Sequence, residues 1–237
     1  MTIDWQNYWA SRPQSLDGSI EEALAQVGKT RFGKPVPPEQ VTLLVEYIAE
    51  TLRLSPDMAA VDLGCGNGLI THALATRVDH VVGFDYSPAL LETARKHFNA
   101  SNISYRTGDL TQMESQALPR SGIDVAWSIE VIQNLDPTTL PNLLSWLEKV
   151  LVPGGRFLAS GIPDIDRIRN FYNTEERWQM HVENAREGRE QMGHWWSKDD
   201  LSDAAETAGL QIEFVTLPEQ FYTASYRVDA LLSKVSA

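Results

Sequence analysis

The amino-acid sequence predicts an α/β fold, a mainly parallel sheet with helices on both faces, and three observations predict it. Short apolar runs of strand character alternate with stretches of helical periodicity between residues 58 and 160. A glycine-rich turn, Gly64-Cys65-Gly66-Asn67-Gly68, separates the first strand of that series from the helix after it. Acidic residues recur at the carboxyl ends of successive strands, at Asp62, Asp85 and Asp109. Strands alternating with helices are joined by crossovers, which makes them parallel and covers the sheet on both sides.

In order along the chain, residues 1–38 are irregular in pattern and hold Trp5, Tyr8 and Trp9, then the basic stretch Gly28-Lys29-Thr30-Arg31-Phe32-Gly33-Lys34-Pro35. Pro37 and Pro38 punctuate a helix start. Over 39–54 the residues Val41, Leu44, Val45, Ile48 and Leu52 share one helical face, and Ser55-Pro56 stops the helix. Strands follow at 58–63, 80–84, 103–106, 123–129 and 156–160, with helices at 69–76, 88–99 and 140–151 between them. The turn Pro153-Gly154-Gly155 leads into the fifth strand.

After Gly161 the pattern changes. Residues 162–196 are polar, charged and aromatic, and read as an insertion with helical content. Ser197-Lys198-Asp199-Asp200 is a helix start, with Ser197 as N-cap and Asp200 as its reciprocal partner. Leu201, Ala204, Ala205 and Ala208 line one face, and Gly209 ends the helix. Two strands follow, at 211–217 and about 222–228, and the tail from Asp229 reads as a short helix or a frayed end.

Composition bounds the function. The 237 residues are 43% hydrophobic and 22% charged, an ordinary globular mix for one large domain. At that size folding buries roughly 70% of the unfolded surface, so no staple is required. The single cysteine, Cys65, forms no intrachain disulfide, which fits a reducing, cytoplasmic setting. Twenty basic against 32 acidic residues give a net charge of −12, which argues against a nucleic-acid substrate. Residues 1–8 lack the basic and apolar regions of a secretory leader, and no apolar run is long enough to span a bilayer. No metal-ligand spacing stands out. The expected partner is a small-molecule substrate, with no nucleic acid or membrane, bound by a monomer or homodimer.

The motif Val61-Asp62-Leu63-Gly64-Cys65-Gly66-Asn67-Gly68 carries the chemistry. Glycines at alternate positions let the backbone turn sharply and a ligand approach without a Cβ in the way. Asp62 at the strand end can accept hydrogen bonds from a cationic amine. Asp85, ending the second strand, is placed to grip the two hydroxyls of a ribose. Asp109, with Leu110, follows the third strand, where a carboxylate can accept from an exocyclic adenine amine. Ser128-Ile129-Glu130-Val131-Ile132-Gln133-Asn134-Leu135 follows the fourth. Ligands of open α/β sheets bind at these carboxyl ends.

In these motifs the chain resembles the class I methyltransferases over about residues 39–160. Asp62 to Gly68 is similar to that family's first motif, Asp85 to its ribose-binding acid with Tyr86 and Ser87 beside it, and Asp109 and Leu110 to its adenine-side position. Ser128 and Ile129 match residues bordering the methionine part, and the chain through Gln133 continues toward the substrate. The resemblance implies a Rossmann-like seven-stranded sheet with the last strand antiparallel. It implies S-adenosyl-L-methionine as cofactor, S-adenosyl-L-homocysteine as product, and Gly64, Cys65, Gly66 and Gly68 at the cofactor. An NAD(P) oxidoreductase is the rival enzyme, but the usual G-x-G-x-x-G has its third glycine one position later. The expected function is O- or N-methylation of a small molecule. An RNA or protein methyltransferase, or a non-catalytic methyltransferase-like partner subunit, is the alternative.

On the acceptor side, His194, Glu130 and Tyr172 are candidates for acid–base work, with His181 as a fourth. Trp5, Tyr8 and Trp9 form either a lid over the site or a packed terminal helix, and residues 1–38 are read as a lid segment preceding a methyltransferase domain at 39–237. Within that domain 162–196 is read as a substrate cap. Lys29, Arg31 and Lys34 offer cations to an anionic acceptor or the cofactor carboxylate, or are simply solvated. Arg31, Gln133 and Trp195 complete the substrate-side candidates.

Overall fold

The computed structural model describes residues 3, 5–10, 18–115, 118 and 122–235. The first 38 residues are more regular than their pattern suggests. Within them lie helices α1 (Trp5–Ala10) and α2 (Ile20–Gln26), then a two-stranded hairpin of β1 (Thr30–Arg31) and β2 (Lys34–Pro35). The local signal for α2 is Ser19 with Glu22 three positions on: the Ser19 Oγ accepts the Glu22 backbone N–H at 3.2 Å, an N-cap.

The main domain follows the predicted alternation: α3 (Glu39–Leu52), β3 (Ala59–Leu63), α4 (Leu69–Ala75), β4 (His80–Asp85), α5 (Pro88–His97), β5 (Ile103–Thr107), β6 (Ile123–Ile129), α6 (Leu140–Val150) and β7 (Leu151–Pro163). Strand β7 starts earlier than predicted and absorbs the Pro153-Gly154-Gly155 turn, where its register against β6 shifts. The insertion contains α7 (Ile168–Phe171) and α8 (Glu175–Arg186), and α9 (Lys198–Thr207) and β8 (Leu210–Val215) follow. The cap of α9 forms as read: the Asp200 N–H donates to the Ser197 Oγ, which donates to the Asp200 carboxylate.

The last strand corrects the prediction. Asp229 to Lys234 are strand, not helix or frayed end, and the strand placed at 222–228 is displaced: β9 runs Arg227–Lys234. Two ionisable residues, Arg227 and Asp229, interrupt its apolar run, yet both are buried. Asp229 is there for a backbone reason. A register shift in β7 between Ala159 and Ile162 leaves the Gly161 N–H without a ladder partner, and the Asp229 carboxylate accepts it at 2.7 Å.

The seven-stranded sheet has the order β5-β4-β3-β6-β7-β9-β8. Strands β3 to β7 pair in parallel, and β9 is antiparallel to both its neighbours. Both faces are covered. Leu44, Ile48 and Leu52 of α3, Leu74 of α4 and Leu91 of α5 pack with Ala60 on one side. Leu143 and Leu147 of α6 and Leu201 of α9 pack with Val61 and Leu63 on the other. Crossovers of this kind leave the carboxyl ends of β3 to β6 on one edge, with the glycine turn between them. No helix among the described residues is long and apolar enough to cross a membrane.

Candidate functional site

The glycine turn is clamped to the neighbouring strand. The backbone N–H groups of Gly64 and Cys65 both donate to the Phe84 carbonyl of β4, at 2.7 and 2.9 Å. Gly64 has φ 77°, and a Cβ there would lie 2.5 Å from the Val131 side chain. Gly66 has φ 55°, with Val27 of the segment after α2 only 3.2 Å from where a Cβ would stand. Backbone conformation and space both demand glycine at these two positions. Asn67 fastens the turn from the other side, donating to the Ala23 carbonyl at 2.8 Å and to Gln26 at 2.9 Å.

Two acids border the turn. Asp62, the fourth residue of β3, is 2% exposed and accepts the Thr71 hydroxyl at 2.7 Å. Asp85, ending β4, accepts the N–H of Gly66 at 2.9 Å and of Ser87 at 2.8 Å. Burial pushes the Asp62 carboxyl up to about 7 and the Asp85 carboxyl up to about 6. Among the described residues neither acid has an ion-pair partner. Both open onto a cavity of about 470 Å³, within the range of roughly 300–1,000 Å³ typical of small-molecule pockets.

That cavity gathers residues from across the chain. At one end are Asp62, Gly64, Cys65, Gly66, Asp85, Tyr86, Asp109, Leu110 and Ile129. Asp109 is held in a tight turn, accepting the N–H and hydroxyl of Thr111 at 2.9 and 2.7 Å. Trp5, Tyr8 and Trp9 of α1 line it from above, and the Tyr86 hydroxyl donates to the Trp5 carbonyl at 2.8 Å. Gln191 and Met192, after α8, reach it from the insertion. Lys29, Glu130, Gln133 and Arg227 complete the wall.

Several predicted site residues lie outside this wall. Gly68 (φ 81°) is the N-cap of α4, where a Cβ would meet the Tyr105 hydroxyl. Ser87 caps α5, and Ser128 is enclosed within β6. Arg31 is exposed on the hairpin with its guanidinium over Phe32. Trp195 and Tyr172 pack with Tyr226 in a separate aromatic cluster, and the Tyr172 hydroxyl donates to Glu190 at 2.7 Å. His181 lies in that cluster, against the same Glu190 carboxylate. His194 sits edge-on to Trp196, its backbone N–H donates to the Gln133 backbone carbonyl at 2.7 Å, and burial pushes its pKa down. It braces the wall from behind.

Glu130 does line the cavity, in a geometry unlike that of a base. Its φ is 57°, uncommon for a residue with a side chain. Burial would raise its carboxyl, but Lys29 at 2.7 Å and Arg227 at 3.6 Å overcome burial and hold it at about 2. Arg227 carried no functional signal in the sequence, since it opens a strand that was misplaced. Gln191 and Met192 were equally unmarked, since only tertiary packing brings them to the wall.

Residues 60–155 match the family described as methyltransferase domain. A Schizosaccharomyces pombe protein described as an uncharacterized methyltransferase is 26% identical over 180 residues, covering 74% of this chain and 67% of that one. Over this domain the chain is similar to the class I S-adenosylmethionine-dependent methyltransferases. A second relative, the ubiquinone biosynthesis O-methyltransferase of Stutzerimonas stutzeri, is 29% identical over 143 residues, covering 60% of each chain. The chain spans 67%, 64% and 55% of the lengths of three such relatives. Its fold superposes on a solved S-adenosylmethionine-dependent methyltransferase of Methanosarcina mazei with TM-score 0.62 at 15% identity, over 80% of this chain and 98% of that one. The matched domain holds the glycine turn and the acids of β3, β4 and β5. Lys29 and Arg227 lie outside it.

Proposed function

We propose that this methyltransferase moves the methyl group of S-adenosylmethionine onto the oxygen or nitrogen of a small-molecule acceptor by in-line displacement, leaving S-adenosylhomocysteine. One observation carries the reading: two buried carboxylates, Asp62 and Asp85, face one cavity beside a glycine turn and lack a cationic partner among the described residues. A buried charge without a partner is costly, and a ligand bearing an ammonium and a sulfonium relieves that cost. The turn fits as well, because side chains at Gly64 or Gly66 would close the space.

In this reading Asp85 holds a ribose, Asp109 and Leu110 border an adenine, and Asp62 with Gly64, Cys65 and Gly66 surrounds the amino-acid end. Tyr86 and Ile129 flank the ligand, while Gly68, Ser87 and Ser128 keep the turn and strand tips in place. When bound, the cofactor supplies an electrophilic sulfonium methyl group. The chain aligns the acceptor with it and excludes water, and orientation of this kind contributes on the order of 7–11 kcal/mol. Residues 1–38 act as the lid through Trp5, Tyr8 and Trp9, and the cap at 162–196 contributes Gln191 and Met192.

Glu130, held at about 2, is a weak base. The site therefore suits an acceptor needing little help with its proton, a neutral amine or an acidic hydroxyl. Calorimetric titration with S-adenosylmethionine and S-adenosylhomocysteine, followed by a turnover screen of metabolites read as S-adenosylhomocysteine formed, tests this. Micromolar binding and turnover of a small molecule are expected. Absence of binding at micromolar concentration overturns it.

A further inference from the structure

Behind the cavity, the insertion holds one carboxylate that the methyl-transfer reading leaves unused. The Glu190 side chain, 15% exposed, lies between α8 and α9 and takes donors from three segments. Its Oε1 accepts the hydroxyl of Tyr172, the residue after α7, at 2.7 Å and the Met192 backbone N–H at 2.9 Å. Its Oε2 faces the Nδ1 of His181 on α8, and a carboxylate only accepts, so that nitrogen carries the hydrogen. Burial first, and then Glu190 itself, push the Tyr172 hydroxyl up from its ordinary value, so it stays a donor. The His181 ring stacks on Tyr172 with centroids 4.4 Å apart, which holds two of the donors in one place. Charge-assisted hydrogen bonds that meet on one side chain fix the segments that carry them, and Glu190 is such a clasp.

What the clasp holds is the part of the insertion that reaches the cavity. Gln191 and Met192 line it, and Met192 also packs against the cluster of Tyr172, Trp195 and Tyr226. Past them the chain is pinned by its backbone. A Cβ on Gly193 would lie 2.3 Å from the Gln133 carbonyl oxygen, the His194 backbone N–H donates to that carbonyl at 2.7 Å, and Trp196 is buried. On the other side α8 has no buried residue, so apolar packing secures it less. Gln191 and Met192 thus lie between a fixed end and an end secured by the Glu190 carboxylate. We propose that Glu190 is the positioning residue of the cap: by drawing Tyr172, His181 and the Met192 N–H together it keeps Gln191 and Met192 against the cavity and so slows the escape of S-adenosylhomocysteine. The inference rests on the methyltransferase reading above. Glu190 itself stands outside the wall, so it acts through its two neighbours in the chain.

The test is release of S-adenosylhomocysteine, followed by stopped-flow tryptophan fluorescence, with melting temperatures measured on the same proteins. Glu190→Ala removes all three contacts and is expected to speed dissociation about fivefold or more, with association within about twofold, because the cap closes after encounter. Glu190→Gln is expected to release near the wild-type rate. Its amide oxygen accepts from Tyr172 and Met192, and its NH2 donates to the His181 Nδ1 once the ring hydrogen moves to Nε2. In protein carrying Gln191→Ala and Met192→Ala, release is already fast, and adding Glu190→Ala is expected to change it by less than about twofold, the non-additivity of groups that act as one unit. Should Glu190→Ala not fold, Tyr172→Phe removes one donor, keeps the ring, and is expected to speed release about twofold or more. A melting temperature lowered by Glu190→Ala with release unchanged would make Glu190 a structural residue and overturn the proposal. So would Glu190→Gln releasing as fast as Glu190→Ala, or a full Glu190→Ala effect in the doubly substituted protein. Failure of wild-type protein to bind S-adenosylhomocysteine would instead sink the methyltransferase reading, and this proposal with it.

Discussion

The Asp85 carboxylate accepts the backbone N–H of Gly66 at 2.9 Å, which locks the acid at the end of one strand to the glycine turn after its neighbour. Ligand and turn are thereby coupled through one side chain. Asp85→Ala is expected to raise the dissociation constant for S-adenosylhomocysteine about 10- to 100-fold, the loss of one charge-assisted interaction of about 1.5–3 kcal/mol. Gly66→Ala forces a side chain into φ 55° beside Val27 and is expected to lower both affinity and melting temperature, the latter by a few degrees. Calorimetric titration and thermal melts check both, and unchanged affinity in folded Asp85→Ala would place the ribose elsewhere.

A pH dependence follows from the same acids. The folded-state values of Asp62 and Asp85, about 7 and about 6, lie above the ordinary 3.8. The folded chain therefore binds more protons than the unfolded chain between about pH 4 and pH 7, and the stability of the unliganded protein falls as pH rises through that window. Affinity for the cationic cofactor moves the other way, rising from pH 5.5 to pH 8 as both acids ionise. Asp62→Asn is expected to melt about 2–4 °C higher at pH 8 without ligand, for each kcal/mol of relieved burial, while binding cofactor more weakly. A flat affinity profile across that range would contradict the assignment.

The part of the fold that sequence reveals is the part whose elements explain themselves locally. Every residue of β3, Ala-Ala-Val-Asp-Leu, is buried, and its one acid sits where a strand tip meets a ligand edge. Strand β9 was hidden because Arg227 and Asp229 are buried by partners far away in sequence, Glu130 and Gly161. Helix α2 was missed: Ser19 and Glu22 form its cap, but its seven residues are too few for periodicity to stand out. The cofactor end of the cavity lies on consecutive strand tips and can be read in order. Lys29, Gln133 and Arg227 reach the same wall from three separated segments, and only tertiary packing brings them together. His194 and Tyr172 drew attention by residue type, yet their hydrogen bonds face the wall and the aromatic cluster behind it.

Glu130 is expected to matter for stability before it matters for chemistry. Its folded value of about 2 lies below the ordinary 4.5, so its contribution is fully present above about pH 4.5 and is lost as pH falls toward 2. Glu130→Gln leaves Lys29 and Arg227 without a counter-charge. The Glu130 side chain is 23% exposed, so screening reduces the cost of breaking such a pair to about 1–2 kcal/mol, roughly 2–8 °C in melting temperature. A variant as stable as wild type at pH 7 would show that the pair contributes nothing to the fold.

The lid reading makes its own prediction through Tyr86. Its hydroxyl donates to the Trp5 carbonyl at 2.8 Å, tying α1 to the tip of the strand that carries Asp85. Tyr86→Phe removes that bond and keeps the ring in the cavity wall. A net hydrogen bond of about 0.5–1.5 kcal/mol corresponds to roughly 2- to 12-fold in the closed population of the lid. If α1 closes over bound cofactor, the loss appears as faster dissociation of S-adenosylhomocysteine with little change in association, because closure follows encounter. Stopped-flow tryptophan fluorescence can follow it, since Trp5 and Trp9 line the cavity. Trp9→Ala is expected to speed dissociation by at least as much. Unaltered dissociation in both variants would make α1 a packed terminal helix and remove the lid from the mechanism.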